Sequence, residues 1–175
     1  MTEQPKGRRA IETGPTGMTV AANLGRLRRA RQMTTRQLST ALERHGRPIP
    51  ASGITRMEKG ERQVTADDLV ALAVIFGVSP AALLLPLTDD PTVSVEVTGG
   101  GAVDSMDAWR WANGQRPLKL SPGREQTEML EHQLYGMPQW LRLMSPQDAA
   151  MVGARMREAG VPWDELLRKA GLTDG

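Results

Sequence analysis

Between Val20 and Phe76, apolar residues recur three and four positions apart in short bursts separated by breakers, the pattern of a row of short helices. The first is predicted from about Val20 to Gln32, with Leu24 and Leu27 on one face and Arg26, Arg28, Arg29 and Arg31 largely off it. Thr34 is a good N-cap, and Gln37 three residues later completes a capping box. The second helix then runs to about Arg44, with Leu38, Ala41 and Leu42 inward, until Gly46, Pro48 and Pro50 break it. A third starts at Pro50 or Ala51, turns Ile54 and Met57 inward, and stops at Gly60. Thr65 caps a fourth, which carries Asp68 in its first turn, Leu69, Leu72, Ala73 and Phe76 as a stripe, and Gly77 at its end. Ser79-Pro80 opens a short fifth, closing through Leu83 and Leu84 before Pro86. Helices this short are unstable alone, so they must pack on one another.

The pattern changes after Leu87. Asp89, Asp90 and Pro91 read as linker, and Val93, Val95 and Val97 alternate with Ser94, Glu96 and Thr98 as a strand does, ended by Gly99 to Gly101. Trp109 and Trp111 precede the turn dipeptide Asn113-Gly114. From Ser121-Pro122 onward the spacing is helical again through Met129, Leu130 and Leu134, with interruptions at Gly136 and Pro138. Trp140, Leu141, Met151, Met156, Trp163 and Leu166 continue the apolar stripes. The expected fold is mainly α: an arm over 1–18, five helices over 19–86, a linker with a short strand or hairpin over 87–120, and a helical region over 121–175. The arm holds Pro5, Gly7, Gly14, Pro15 and Gly17 with few large apolar residues, so it reads as disordered, and Lys6, Arg8 and Arg9 make it basic.

Composition narrows this picture. Apolar content of 39% allows a core, and scarce aromatics leave that core to Leu, Val, Ala and Met. No Cys is present, so disulfide frameworks and thiolate metal sites are excluded, in keeping with a cytoplasmic protein. No secretory signal or membrane-length apolar run is visible. The net charge of +2 hides an asymmetry: residues 1–62 hold 13 Lys+Arg against 5 Asp+Glu, or +8, and residues 63–175 carry −6. A basic block beside an acidic one implies that one end meets a polyanion, although two solvated faces that merely differ would look the same.

The run Thr34-Thr35-Arg36-Gln37-Leu38, followed by Ile54-Thr55-Arg56-Met57-Glu58-Lys59-Gly60-Glu61-Arg62, resembles the lambda-repressor/Cro or XRE family of helix-turn-helix transcriptional regulators of bacteria and phage. The flanking Leu24-Gly25-Arg26-Leu27-Arg28 and Leu69-Val70-Ala71-Leu72-Ala73 fit too, so the resemblance covers about residues 20–86. It implies a third helix lying in the major groove of double-stranded DNA and a second crossing the backbone. By position, Ser52, Gly53, Thr55 and Arg56 then make base-edge contacts, with Arg56 able to fork onto a guanine. Thr35 and Arg36 meet phosphate or a neighbouring base, and Lys59 and Arg62 grip phosphates. Arg36 and Arg62 also have a plainer reading as solvated charges, and Glu58 reads as a structural partner of a nearby Arg, since a carboxylate repels phosphate. The connection from Glu43 to Pro50 exceeds the usual turn of about 3–4 residues; it either shifts the recognition helix or adds a backbone contact through Arg47.

Enzyme chemistry finds no footing. Gly99-Gly100-Gly101 lacks the following Lys-Ser/Thr of a phosphate loop, and no nucleophile stands beside a base. Glu128 and His132 are spaced to clip a metal, but no third ligand accompanies them, and a solvated helix face explains them better. No cofactor is expected. The C-terminal half resembles no family; dimerisation, a small-molecule effector and a protein partner compete for it, with a homodimer favoured because one recognition helix reads only a half-site. Besides a repressor or activator, the fold also serves bridging modules that bind protein alone and antitoxins that bind both DNA and a toxin; the arginine surplus favours DNA.

Overall fold

A computed structural model describes residues 13–138 continuously and, beyond them, 141, 142, 153, 154, 157, 158, 160, 162, 165 and 168. The elements in order are α1 (Pro15–Ala30), α2 (Thr35–Arg44), α3 (Ala51–Glu58), α4 (Ala66–Phe76), α5 (Ala81–Leu84), β1 (Ser94–Val97), β2 (Gly101–Asp104), α6 (Ser105–Ala112) and α7 (Glu125–Gly136). The architecture is mainly α with one small antiparallel hairpin, and the chain divides into two compact units, 1–105 and 106–175.

In the first unit, α1 to α5 pack around Leu24, Leu38, Leu42, Ile54, Met57, Leu72, Phe76 and Leu83, all essentially without solvent contact. The local signals behind this are the ones written in the chain. Thr34 and Gln37 form a reciprocal capping box on α2, Thr65 and Asp68 another on α4, and Gly77 ends α4 in the left-handed conformation with φ 62°. Gly60 turns the chain out of α3 with φ 72°. α1 also packs extensively on α5, and Val20, Ala21 and Leu85 are buried. There the buried Asn23 donates from Nδ2 to the Leu83 and Leu85 carbonyls at 3.1 and 2.7 Å. A polar group this deep is tolerated because its hydrogens are both placed.

Two boundaries differ from expectation. α1 begins at Pro15, so the arm expected over 1–18 is helical in its last residues; residues 1–12 lie outside those described. The strand expected from the Val93–Val97 alternation is β1, and it has a partner that the pattern did not show. β2 pairs in register Ser94 with Asp104, Val95 with Val103, Glu96 with Ala102 and Val97 with Gly101. Val95 and Val97 are buried, and the hairpin packs on α1 in the same compact unit as the helices, not as a free linker.

The second unit opens with α6, where Trp109 and Trp111 lie on a helix that the Asn113-Gly114 turn then ends. Leu130 and Leu134 of α7 are buried, which withdraws them from any seam with a second copy. The Arg142 guanidinium closes α7, donating to the carbonyls of Gln133, Leu134 and Met137 that the helix end leaves unpaired. Glu128 accepts the Ser121 amide at 2.7 Å, which holds its carboxyl below the usual range. His132 lies 3.1 Å from the Gly114 carbonyl, so Glu128 and His132, whose spacing alone would suit a metal, each have a protein partner. Trp140, Met151, Met156, Trp163 and Leu166 lie outside the described residues, while 153, 154, 157, 158, 165 and 168 among their neighbours are helical.

Candidate nucleic-acid interface

The sequence Ala51-Ser-Gly-Ile-Thr-Arg-Met-Glu58 is a poor helix former, and Pro50 gives α3 no side-chain cap. α3 is made by what surrounds it. Gly53, Ile54 and Met57 are buried, while Ser52, Thr55, Arg56 and Lys59 are exposed. Offsets of three, four and seven put those exposed residues on one face. Thr55 is exposed and returns its hydroxyl to the Ala51 carbonyl at 3.1 Å. Ser52, Arg56 and Lys59 have no side-chain hydrogen bond or ion pair among the described residues. The result is a free guanidinium, an ammonium, a hydroxyl and an exposed threonine on one rigid face, which is the chemistry that reads base edges and holds phosphates.

Other charged side chains hold that face in place. Glu58, on the inner flank of α3, takes Arg28 of α1 in a two-pronged ion pair at 2.5 and 2.9 Å, with both side chains 15% exposed. These bonds make Arg28 hold its proton more firmly than a free guanidinium does. The third nitrogen of Arg28 reaches the Met33 carbonyl at 2.8 Å, so one residue ties the start of α2 to the end of α3. Ser39 of α2 donates to the Ile49 carbonyl at 2.6 Å and anchors the long connection. Asp68, 1% exposed, is the centre of a second network. It accepts Arg47 Nε at 2.6 Å and stands 3.7 Å from Arg62 Nη2 while also closing the α4 capping box.

Three expectations change as a consequence. Gly53 cannot touch a base: it is buried, and a Cβ there would lie 2.7 Å from Arg62 Nη1 and 3.2 Å from Ile49 Cγ2. With no side chain, glycine leaves room for the Arg62 side chain and the connection before α3 to lie over it. Arg62 lies over Gly53 and stands 3.7 Å from Asp68, its side chain 35% exposed, so a phosphate would compete with that acid for it. Arg47 offers DNA little for the same reason: Asp68 and Thr65 hold its guanidinium, and Asp68 above all makes it a firmer base. The extra residues of the 45–50 connection are thus pinned to the start of α4.

The remaining predicted contacts sit at the start of α2, where Arg36 is exposed and Thr35 half-buried. Here unpaired amides and the helix dipole favour an anion. Arg31 is spent on the Phe76 carbonyl at the end of α4, 2.6 Å away. Within the basic block, Arg28, Arg31, Arg47 and Arg62 are engaged by the domain itself, while Arg36, Arg56 and Lys59 face outward. Sequence reasoning missed Asp68 as a keystone, although an acid at the third position of a capping box, with arginines in two nearby connections, was a signal for it.

Residues 19–85, under half of the chain, match the family model of a helix-turn-helix domain. This supports a helix-turn-helix DNA-binding protein. Comparison with curated proteins and with solved structures gives no match.

Proposed function

We propose that, on the premise of this helix-turn-helix, the chain is a sequence-specific transcriptional regulator of the XRE type, cytoplasmic, which binds double-stranded DNA with α3 in the major groove. The observation that carries the reading is the outward face of α3. Its only cation at the base-reading position, Arg56, is unengaged among the described residues, while the acid beside it, Glu58, is neutralised by Arg28. Arg56 forks onto a guanine, Ser52 and Thr55 face neighbouring bases, and Lys59 with the start of α2 holds phosphates.

The protein works as a homodimer, since one α3 reads a half-site and a second copy one helical turn (~34 Å) away doubles the contacts. Light scattering on the full chain, free and on its operator, tests this; a chain monomeric in both states would end the dimer. Binding of the full chain to a selected sequence, followed over a range of salt, tests the DNA reading. Each phosphate neutralised adds about 0.9 to the slope of log affinity against log salt, so Lys59→Ala flattens the slope by roughly one unit. Affinity that ignores salt would sink the reading.

A further inference from the structure

The family match ends at Leu85, yet the first compact unit runs on to Ser105, and the described residues before Thr19 belong to it as well. These outlying pieces meet each other and the end of α3. α1 starts behind Gly14, which has no side chain to cap it, and no side-chain cap bond is made there. The opening amides of a helix need acceptors from elsewhere. Thr98, in the turn of the hairpin and 82 positions away, supplies one: its Oγ1 accepts the Thr16 amide at 3.3 Å, and the Thr16 Oγ1 accepts the Thr98 amide at 2.9 Å. A methyl on Gly14 would stand 3.2 Å from Thr98 Oγ1, so the turn closes tightly on the helix start.

The same helix start holds α3. Thr13 donates its hydroxyl to the Gly60 carbonyl at 2.8 Å, and Met18 Sδ lies 2.5 Å from where a Gly60 Cβ would be. Gly60 belongs to the turn that fixes the carbonyl of Arg56, which accepts the Glu61 and Arg62 amides at 2.9 and 3.2 Å. A continuous path therefore runs from the hairpin through Thr98, Thr16 and Thr13 to the backbone that carries Arg56 and Lys59.

We propose that the β1–β2 hairpin is part of the DNA-reading unit, and that Thr98, Thr16 and Thr13 are positioning residues that set the C-terminal end of α3. The inference rests on the DNA reading above and extends it to residues outside the family match. None of the three touches DNA; they act through Gly60. Losing the hairpin's cap on α1 loosens Thr13, and the last turn of α3 opens more often.

The test is amide hydrogen exchange on the full chain, without DNA, in wild type, Thr98→Val, Thr98→Ser and Thr13→Val. Thr98→Val raises exchange at Gly60, Glu61 and Arg62 on the order of tenfold, the scale of a lost cap, and leaves Leu38 and Leu42 unchanged. Thr98→Ser keeps the hydroxyl and restores the wild-type rate. Thr13→Val loosens the same amides without disturbing the hairpin. Affinity for the sequence selected by wild type falls by a similar factor in both valine variants, with an unchanged salt slope because no phosphate contact is removed. Wild-type exchange at 60–62 in both valine variants overturns the proposal, as does exchange that rises equally at Leu38 and Leu42. Faster exchange with undiminished affinity overturns the positioning role. A wild-type chain that selects no sequence sinks the DNA reading instead, and exchange alone then decides whether the hairpin holds α3.

Discussion

α2 and α3 are neighbours in the chain and are stabilised in opposite ways. α2 carries its own instructions: a capping box at Thr34 and Gln37, no glycine, and Leu38 and Leu42 on one buried stripe. α3 has no cap bond, includes Ser, Gly and Thr among its residues, and is held from outside by Glu58 on Arg28, by Arg62 over Gly53, and by the connection that Asp68 pins through Arg47. The difference has a use. A helix whose place is fixed by its inner face and by its neighbours leaves its outer face unconstrained by folding. Ser52, Thr55, Arg56 and Lys59 can then be whatever the ligand requires, and changing them changes what is read without changing whether the domain folds.

The sharpest way to break this comparison is Asp68→Ala. Breaking a buried ion pair costs about 3–5 kcal/mol, and since Arg47 and Arg62 can turn to water the expected loss is nearer ~2–4 kcal/mol, capping box included. Urea unfolding measures the total, and hydrogen exchange locates it: α3 should open before α2. Equal opening of both helices would show that Asp68 stabilises the domain at large and not α3 in particular.

Thr34→Ala probes the other helix. Removing its cap should cost ~1 kcal/mol, visible as a lower thermal midpoint, with sequence preference on DNA unchanged. A shifted preference would mean that α2 and α3 are not independent in the way described.

Gly53→Ala is expected to do least. In an open helix it would stabilise by about 0.5–1 kcal/mol. Here the new methyl displaces Arg62 and crowds Ile49, which offsets the gain, and the thermal midpoint should stay near that of wild type. A full stabilisation would show that Arg62 gives way at no cost and does not brace α3.

The same contrast explains what could be read from the chain. The positions of α2 to α5, the capping box at Thr34, the cap at Thr65, the ends at Gly60 and Gly77, and the burial of Leu24, Leu38, Leu42, Ile54, Met57, Leu72 and Phe76 follow from local pattern and were legible. Glu58 as the partner of an arginine was legible too, because an acid in a basic block needs a reason to be there. What escaped depends on residues distant in sequence. Gly14-Pro15-Thr16-Gly17 looks like loop because the cap that makes it helical comes from Thr98. Gly101-Ala-Val-Asp104 has no alternation, and only its pairing with β1 makes it a strand. Trp109 and Trp111 were overshadowed by the turn that follows them. Gly53 and Arg62 were assigned outward by position in the motif, and a backbone contact through Arg47 was one of two roles given to the insertion, whereas their surroundings are set by Asp68 and by the length of the 45–50 connection.

The central claim is that α3 reads sequence through Arg56, and selection of binding sequences from a random pool by the full chain, in parallel for wild type and Arg56→Ala, tests it most directly. Wild type should enrich a motif containing a guanine that the variant no longer requires, with affinity for that motif falling by about 1–3 kcal/mol and thermal stability unchanged within about 0.5 kcal/mol. An identical motif enriched with equal affinity by both proteins would contradict it.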